Sequence, residues 1–365
     1  MKKVILGTAA ILCGTVTFAQ SNQSDVDQQG NSNSALVTQM GMGNISEVLQ
    51  TGGDAGETAN HEATVNQDGV YNESYLEQHG DDQIVYVDQT GTLNLSTAYQ
   101  EGSSNLGDID QNGFLNTSTL LQSGDAGSTE PNNEAVIAQK GDFNTADVYQ
   151  VGTLNSSEVL QEGYNNFSYV TQVGNENSAS NTQWGDSNTS EQLQIGDDNT
   201  AVAQQGEALT GWRSSILGSV LQQQEGNEND AKATQRGEGH TALQAQLGND
   251  NEAVSYQGNY YNFSRQYQEG NNNYASSQQY FEGNLSLQEQ TGDDNRAVSR
   301  QTGVGYNTSI ITQGGNNNET LHVQRGELNF AQTSQVGDFH LSTVRQTGNN
   351  NYSNVIQSNV AIVYQ

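Results

Sequence analysis

Histidine, cysteine and carboxylate side chains are the groups in this sequence that could catalyse a reaction or bind a metal ion. The chain contains five histidines, one cysteine and 42 aspartate or glutamate residues. No His-x-Glu or paired-His spacing, which would be typical of a metal site or a catalytic dyad, occurs among His61, His79, His240, His322 and His340. His61, His240 and His340 stand where a repeated motif otherwise has Asn, so we interpret them as members of a structural column. The sequence predicts no metal site and no cofactor.

Carboxylates raise two further alternatives. Some parallel β-helices are enzymes, but glycan cleavage would need convergent carboxylates at a break in the repeat. Only residues 206–221 offer such a break, and they contribute Glu207 alone, so we predict that the chain is not an enzyme. Gly-Asp pairs recur in the expected turns at Gly80-Asp81, Gly141-Asp142, Gly196-Asp197, Gly292-Asp293 and Gly337-Asp338. The nine-residue calcium-binding repeat is missing, which favours solvated turns, with weak calcium binding as the alternative.

The overall composition is acidic and polar. A formal net charge of -31 with 32% hydrophobic residues would, taken alone, indicate a disordered chain. The strict spacing of the motifs argues against disorder, because a disordered segment has no reason to keep its residues in phase. The charge also argues against nucleic acid as a partner, since phosphate binding needs clustered Lys and Arg. Pro131 is the only proline, which fits a chain made mostly of paired strands.

The first nineteen residues have the composition of a secretory signal peptide. Lys2 and Lys3 precede an apolar run over residues 4–18, and small residues surround a cleavage point before Gln20. The only cysteine, Cys13, lies in this segment, and a lipid-attachment role is disfavoured because the bulky Leu12 precedes it. Cleavage would change the formal charge from -31 to -33 and leave no cysteine for disulfides. No second hydrophobic segment follows, so we expect an exported chain without a membrane span.

One repeated unit accounts for almost all of the remaining chain. Residues 139–150 read Gln-x-Gly-x-x-Asn-x-small-x-x-x-Gln, and the closing Gln opens the next copy eleven residues later. From Asn to Gln the residues alternate between constrained and variable positions, which is typical of a strand with one solvent-facing side. The four residues between strands contain Gly and predict a turn. Strict internal periodicity of this kind indicates a stacked repeat architecture.

The second position of each strand shows how many strands form one turn of the stack. Counted from the strand that begins at Asn33, odd strands mostly carry Ala and even strands mostly carry Ser. In the middle of the chain the fourth position alternates as well, with Gln192 and Gln244 on even strands and Ala233 and Ser255 on odd ones. The true period is therefore 22 residues. We predict an all-β fold, a two-sided parallel β-solenoid (β-helix) of about 14 turns with two strands per turn.

The predicted organisation has three parts: a signal peptide (residues 1–19), a short polar leader (20–27) and the solenoid (28–365). Loops at 52–60, 124–132 and 206–221 interrupt the solenoid. The first two loops lie six strands apart and should leave the same edge, whereas the third lies seven strands further on and should leave the opposite edge. A final strand over residues 359–365 completes the pattern.

Stacked amides should hold this thin, semi-polar interior together. Strands in adjoining turns would lie about 4.8 Å apart, at which spacing identical Asn or Gln side chains can bond along a column. Such a stack would form a rod about 65–70 Å long whose end strands are open to further pairing. The residues that we assign to these structural ladders are Gln39, Asn44, Gln50, Gln139, Asn144, Gln150, Asn155, Gln161, Asn166, Gln172, Asn251 and Gln257.

One outward position of the even strands carries apolar residues at intervals. Its aromatic members are Phe167, Phe263, Phe330 and Tyr352, which the period aligns into a stripe. We hypothesise that this stripe mediates lateral packing or adhesion. An ice-binding solenoid is a weaker alternative, because it would want a flat and regular array of Thr.

The repeat resembles the curlin repeats of curli, the extracellular amyloid fibres of bacterial biofilms. The motif is matched, for example, by Gln39, Gly41, Asn44, Ser46 and Gln50, and the resemblance covers roughly residues 28–365. Two features depart from the curlin pattern: both strands of each turn carry the Gln-x-Gly-x-x-Asn form, and there are many more than about five turns. The resemblance implies export in unfolded form through a dedicated outer-membrane pore, followed by assembly on a surface-bound template.

The predicted function is that of a structural subunit of an extracellular curli-like fibre in biofilm matrix and adhesion. The expected partners are further copies of the chain, a nucleator subunit and a curli-type secretion pore with accessory chaperones. Whether the chain is the major subunit or the nucleator is left open by the sequence. The alternative function is that of a secreted β-solenoid adhesin or ligand-binding protein that does not polymerise.

Overall fold

The computed structural model describes residues 21–52, 59–124, 133–206 and 215–359. In these residues every regular element is a β-strand, and together they form two parallel sheets. Sheet A contains β1 (Gln23–Gln29), β3 (Ile45–Thr51), β5 (Glu73–Asp81), β7 (Leu95–Ser103), β9 (Thr117–Ser123), β11 (Thr145–Thr153), β13 (Phe167–Asn175), β15 (Thr189–Ile195), β18 (Ser219–Glu225), β20 (Thr241–Leu247), β22 (Phe263–Glu269), β24 (Leu285–Thr291), β26 (Thr308–Gly314), β28 (Phe330–Val336) and β30 (Tyr352–Ser358).

Sheet B alternates with sheet A along the chain. It contains β2 (Ser34–Met42), β4 (Glu62–Val70), β6 (Ile84–Thr92), β8 (Leu106–Phe114), β10 (Glu134–Asp142), β12 (Ser156–Tyr164), β14 (Ser178–Asp186), β16 (Thr200–Gln205), β19 (Asp230–Glu238), β21 (Glu252–Tyr260), β23 (Tyr274–Gln279), β25 (Arg296–Gly305), β27 (Glu319–Glu327) and β29 (Leu341–Thr347). A two-residue strand, β17 (Ser215–Ile216), pairs with β14 and β19 beside β16.

The register confirms the predicted two-sided solenoid of about 14 turns. Strand β10 pairs in parallel with β12 so that Gln139 lies beside Gln161, and β11 pairs with β13 so that Gln150 lies beside Gln172. Each pairing joins residues 22 apart, except where an insertion lengthens the step. The two strands of one turn therefore belong to opposite sheets, and each strand inside a sheet bonds to the strands one turn above and below it.

Glycine occupies most of the corners because the backbones of adjoining turns lie very close there. Gly141 has a φ of 112°, and a Cβ atom on it would lie 2.1 Å from the carbonyl oxygen of Gly163. Two residues further along, Phe143 has a φ of 59°, in the left-handed region. Most corners therefore combine a glycine at the first position with a side chain at positive φ at the second, although Asn259 and Phe281 take the first position at φ values of 78° and 73°.

Each strand places three side chains between the sheets, and the chemistry of the central one changes along the rod. From Val48 to Val170 the central inward positions are aliphatic, as at Ile109, Leu120 and Ile137, and they form one continuous cluster. From β15 to β25 the same positions are amide or small: sheet A has Gln192, Gln222, Gln244, Gln266 and Gln288, and sheet B has Ala203, Ala233, Ser255, Ser277 and Ser299. All of these side chains are buried.

Two domain boundaries predicted from the sequence were wrong in part. Residues 20–27 were expected to be a leader, but β1 begins at Gln23 and pairs with β3 along its whole length, with Val26 beside Val48. The physical reason is that this stretch already alternates like a repeat strand and lacks only a turn before it. Residues 206–221 were expected to form one loop, but they include β17 and the start of β18.

The strand order places each insertion at the edge of the solenoid that the sequence predicted. Residues 53–58 and 125–132 each join a sheet A strand to a sheet B strand, whereas residues 207–214 interrupt the opposite connection, from β16 to β18. The segments themselves lie outside the described residues, as do the expected signal peptide and residues 360–365. In the part of the chain that the structure describes, no helix is long and apolar enough to cross a membrane.

Candidate assembly surfaces

The glutamines at the strand ends form two continuous ladders, one in each sheet. In sheet B the side-chain Nε2 of Gln139 donates to Oε1 of Gln161 at 2.9 Å, and Gln161 donates to Gln183 at 2.8 Å. In sheet A, Gln150 donates to Gln172 at 2.8 Å. The ladder residues Gln39, Gln50 and Gln257 make the same bond to the following turn. In every case the amide NH₂ points toward the C-terminal end of the rod.

From Gln39 onward, the ladder glutamines also bond to the other sheet. Nε2 of Gln139 donates a second bond, at 2.9 Å, to the carbonyl oxygen of Thr117 in sheet A, and Gln150 reaches Glu134 in sheet B at 2.9 Å. One buried amide thus bonds to the next turn of its own sheet and also links the two sheets. Because an unpaired buried amide costs about 1–3 kcal/mol, the column holds each glutamine to one rotamer.

The asparagines at the strand starts form two further ladders with the opposite polarity. Oδ1 of Asn144 accepts from both the backbone NH and the Nδ2 of Asn166, each at 3.1 Å. Nδ2 of Asn144 donates to Asn116 at 3.1 Å and to the carbonyl oxygen of Gly163 at 3.1 Å, so the ladder also holds the corner glycine of the next turn. The remaining predicted members, Asn44, Asn155 and Asn251, lie in the same two columns.

Histidine replaces asparagine at two buried rungs. Nδ1 of His240 accepts from the backbone NH of Asn262 at 3.3 Å, and its Nε2 bonds to the carbonyl oxygen of Arg236 at 3.1 Å. His61 makes the equivalent contact with the NH of Gln83 at 3.3 Å. Burial lowers the pKa of both rings, which keeps Nδ1 free of a proton and able to accept. Half-buried His340 bonds through its backbone NH to Asn318 in the same column.

A third glutamine ladder fills the interior of the central turns. Gln192 donates to Gln222 at 2.8 Å, and the series continues through Gln244 and Gln266 to Gln288 with bonds of 2.8–2.9 Å. Each of these amides also donates to a sheet B carbonyl, as Gln244 does to Ala253 at 2.8 Å. From the sequence alone, the alternation of Gln with Ala or Ser at this position indicated only the 22-residue period. The recurrence of Gln opposite Ala or Ser was the signal that could have identified a buried ladder.

This interior ladder has a defect where it meets the aliphatic core. Oε1 of Gln192 is buried and receives no hydrogen bond within the described residues, because Val170 occupies the preceding rung. On the opposite sheet Nδ2 of Asn181 donates to Ser168, while its Oδ1 is also left without a donor there. Among the described residues, the junction between the two kinds of core therefore carries two buried amide oxygens without a donor, whereas the amide oxygens from Gln222 to Gln288 each accept from the preceding glutamine.

His322 occupies a core position that sequence analysis did not assign. Its Nδ1 lies 2.9 Å from Oγ of Ser309 and its Nε2 lies 2.8 Å from Oγ1 of Thr333, so both ring nitrogens are bonded. The ring is fully buried, and burial lowers its pKa to about 4. His322 is therefore neutral in the folded protein at physiological pH.

The predicted aromatic stripe lies on the outer face of sheet A. Phe330 and Tyr352 stack with ring centroids 5.2 Å apart, and Tyr352 is 72% exposed at the end of the sheet. Phe167 is half-buried between Thr145 and Thr189, and Phe263 is half-buried between Thr241 and Leu285. The structure thus brings together one pair of the four aromatic residues, and lateral packing through them remains a prediction.

The two edges of the rod differ in chemistry. The edge that leads from sheet A to sheet B, here called the acidic edge, carries carboxylates and no Lys or Arg in the described residues: Asp81, Asp82, Glu101, Glu176, Asp197, Asp198, Glu225, Glu228, Asp250, Glu269, Asp293, Asp294 and Asp338. Oδ1 of Asp197 accepts from the backbone NH and Nδ2 of Asn175, at 2.9 and 3.0 Å, so this carboxylate serves a turn ladder.

The opposite edge, here called the apolar edge, exposes large hydrophobic side chains. Phe143 lies between Phe114 and Tyr164, with ring centroids 5.4 and 5.3 Å apart. Other exposed members are Tyr71, Leu93, Leu115, Leu217, Tyr261, Tyr306 and Leu328, each at a positive φ. This edge was not predicted from the sequence, because large hydrophobic side chains are uncommon at positive φ.

The outer face of sheet B divides into an acidic half and a basic half. From β2 to β14 its outward side chains include eight carboxylates and one lysine: Glu62, Asp68, Asp88, Asp108, Asp110, Glu134, Glu158, Glu162 and Lys140. From β16 to β29 they include three carboxylates and six basic residues: Asp230, Glu252, Glu319, Lys232, Arg236, Arg296, Arg300, Arg325 and Arg345. The formal charge of the face thus changes sign along a strongly acidic rod.

The local electrostatics of each half follow from this division. Burial raises the pKa of Asp108 and Asp110, and the charge of Asp88 raises them further. In the basic half Arg296 pairs with Glu319 at 3.2 Å and also lies over the ring of Tyr274. Arg300, Arg325 and Arg345 surround a depression of about 390 Å³ on the exposed surface.

No arrangement expected of a metal centre is present in residues 21–52, 59–124, 133–206 and 215–359, where three or more His, Cys, Asp or Glu side chains never form a group that could hold an ion. The shared features of the site are instead structural. Parallel strands, buried amide ladders and glycine corners define a two-sided β-solenoid whose turns interlock.

Comparison with protein families also identifies the chain as a repeat protein. The model of the curlin associated repeat matches the chain over residues 59–91, 102–129, 131–159, 155–183, 226–254 and 324–358. The chain belongs to the curlin-repeat family, and its repeats and fold fit a curli-like structural protein. A search of curated proteins gives no match to this sequence.

Proposed function

We propose that the chain is a structural subunit of an extracellular curli-like amyloid fibre that grows by end-to-end stacking of solenoids. The observation that carries this proposal is the polarity of the ladders. Gln NH₂ groups point toward the C-terminal end, as from Gln139 to Gln161, and Asn Oδ1 atoms point the same way, as from Asn144 to Asn166. A head-to-tail joint would place these groups opposite the Gln oxygens and Asn donors of the next copy, whereas two like ends would oppose matching groups.

The end turns support the same mode of growth. Among the described strands, β1 and β30 each pair with a single neighbour in sheet A, and an unpaired strand edge is a template for another strand. The inward side chain of Val26 in β1 is 42% exposed, whereas that of Val48 one turn further in is 3% exposed. A head-to-tail contact repeats without closing, and such contacts build filaments.

The proposal includes the setting that membership of the curlin-repeat family suggests. The chain is secreted, acts in biofilm matrix and adhesion, and uses a nucleator subunit and a curli-type secretion pore with accessory chaperones. The formal net charge of -31 is consistent with this, because mutual repulsion keeps exported chains apart until assembly begins.

Charged residues at the inward positions of the end strands test end-to-end growth. In the mature chain, Val26→Lys with Val355→Lys should abolish thioflavin-positive filaments, because two cations cannot be buried between stacked ends. The matched control is Asp25→Lys with Asn354→Lys, which places lysines on the outward side of the same strands and should leave filament growth largely intact. Fibre diffraction of the wild type should give spacings near 4.8 and 10 Å. Wild-type chains that stay single rods under all conditions would instead favour the non-polymerising adhesin.

A further inference from the structure

We propose that two copies of the chain pair through the outer faces of sheet B, with the basic half of each copy against the acidic half of the other. The inference concerns lateral contact between solenoids and does not rest on end-to-end growth. Six of the eight Lys and Arg residues in the described part of the chain lie in the basic half of this one face: Lys232, Arg236, Arg296, Arg300, Arg325 and Arg345. Such concentration has no structural need, because arginines on sheet A would serve solubility equally well.

The partner that fits this face is a second copy, because the complementary surface lies on the same chain. A two-fold axis parallel to the strands reverses the stacking order and keeps the position along each strand. The third strand from one end, β6, then lies opposite the third from the other, β25. The second strand, β4, lies opposite β27, and the sixth, β12, lies opposite β19.

Opposite charges coincide in this arrangement at the level of single residues. Arg300 and Asp88 occupy the same outward position of β25 and β6 and come to face each other. By the same rule Arg325 in β27 faces Asp68 in β4. The other matches are Lys232 with Glu158 and Arg236 with Glu162, where Glu162 already binds Lys140 of its own chain at 2.9 Å.

Apolar residues and like charges also take part in the match. Val136 faces Val254 and Tyr86 faces Val298, which gives dry contacts between the charged rows. Two carboxylate pairs oppose each other along one margin, Glu134 with Glu252 and Glu62 with Glu319, and Glu319 is already paired with Arg296. Every match occurs twice across a two-fold axis, so the four attractive matches give eight contacts and the two carboxylate pairs give four.

The other face-to-face orientation does not share this property. An axis parallel to the rod would place every strand opposite its own copy, so that the acidic half would meet the acidic half. Asp108 would then face Asp110 of the second copy, and both already have a raised pKa because of burial and nearby Asp88. The charge pattern therefore selects the arrangement with reversed stacking order.

Charge reversal in trans tests the pairing. One variant carries Arg300→Glu and Arg325→Glu, and the other carries Asp68→Arg and Asp88→Arg, both in the Val26→Lys, Val355→Lys background so that lateral pairs are observed without filament growth. Sedimentation velocity at low salt measures the dissociation constant. Each variant alone should pair about a hundredfold more weakly than the parent, because attraction becomes repulsion at every reversed contact. An equimolar mixture should recover pairing, because every reversed residue then meets its complement.

The Asp→Arg variant distinguishes specific pairing from net charge. It makes the rod less acidic, so relief of general repulsion would strengthen its self-association, whereas our proposal requires weakening. The face control is Arg265→Glu on the outer face of sheet A, which should leave the dissociation constant within about twofold. Equal weakening by Arg265→Glu, no recovery in the mixture, or a parent chain that stays monomeric at low salt would overturn the proposal. None of these outcomes bears on whether uncapped chains form filaments.

Discussion

The aliphatic turns from β3 to β13 and the amide turns from β15 to β25 share one backbone but not one interior. In the first region Val, Ile and Leu from both sheets meet at the centre, as at Ile109 and Leu120. In the second, a glutamine such as Gln244 faces a small residue such as Ala233. A glutamine with a small residue fills less volume than two large aliphatic side chains, so the second core relies more on hydrogen bonds and less on packing than the first.

This difference shows which contacts define the fold. The Gln and Asn ladders at the strand ends and the glycine corners continue through both regions, whereas the central column changes from hydrocarbon to amide. The contacts at the strand ends and corners therefore specify the solenoid. The central side chains only have to fill the interior and find partners for their polar atoms. The two regions should then fail in different ways: the first by losing buried hydrocarbon, the second by losing hydrogen-bond partners.

The largest effect is expected from a polar residue in the aliphatic region. Ile137→Asn should lower the free energy of unfolding by about 4–5 kcal/mol, because it removes buried hydrocarbon and leaves an amide without partners between Ile109 and Val159. Native-state hydrogen exchange of the strands around β10 measures the change locally. The outward neighbour provides the control, since Val136→Asn should cost less than about 0.5 kcal/mol. Equal losses at the two positions would contradict an aliphatic interior here.

The sequence allowed the architecture to be predicted because the period is visible in residue identity. Asn and Gln recur at nearly every strand end, and the Ala/Ser alternation distinguishes the two sheets, so the two-strand turn follows. Strand β1 was missed because the repeats were counted from their closing Gln, which overlooks the strand before the first marker at Gln28. The halves of the sheet B face could not be predicted either, because outward positions vary freely and only the assembled sheet brings their charges together.

Beyond the amide region the core becomes mixed, and His322 makes it sensitive to pH. The folded-state pKa is about 4 and the ordinary value is 6.5, so the unfolded chain binds more protons between these values. The contribution of His322 to stability is therefore complete above about pH 6.5 and falls as the pH drops toward 4, by about 3 kcal/mol in total. Equilibrium unfolding in denaturant across this range measures the loss.

Comparison with His322→Gln isolates this histidine from the other titrating groups. The variant should lose less stability between pH 6.5 and 4 than the wild type, because Gln bonds to Ser309 and Thr333 without titrating. His61 and His240 have lowered pKa values and contribute with the same sign, whereas the raised pKa values of Asp108 and Asp110 act in the opposite direction. All of these groups are present in both chains, so parallel pH profiles would show that the pKa of His322 in the folded protein is close to its ordinary value.

The smallest effect is expected at the junction of the two cores, where the interior glutamine ladder begins at Gln192. Gln244→Met breaks two bonds in the middle of the ladder and leaves Oε1 of Gln266 without a donor, which should cost about 2 kcal/mol. Gln192→Met breaks one ladder bond and removes an oxygen that already lacks a donor. Oε1 of Gln222 then loses its donor and takes the place of that unpaired oxygen. The number of unpaired acceptors is unchanged, so the cost should stay below about 1 kcal/mol. Unfolding free energies that fall equally for the two variants would show that the defect at Gln192 is satisfied in solution, and the junction would then be no weaker than the ladder it ends.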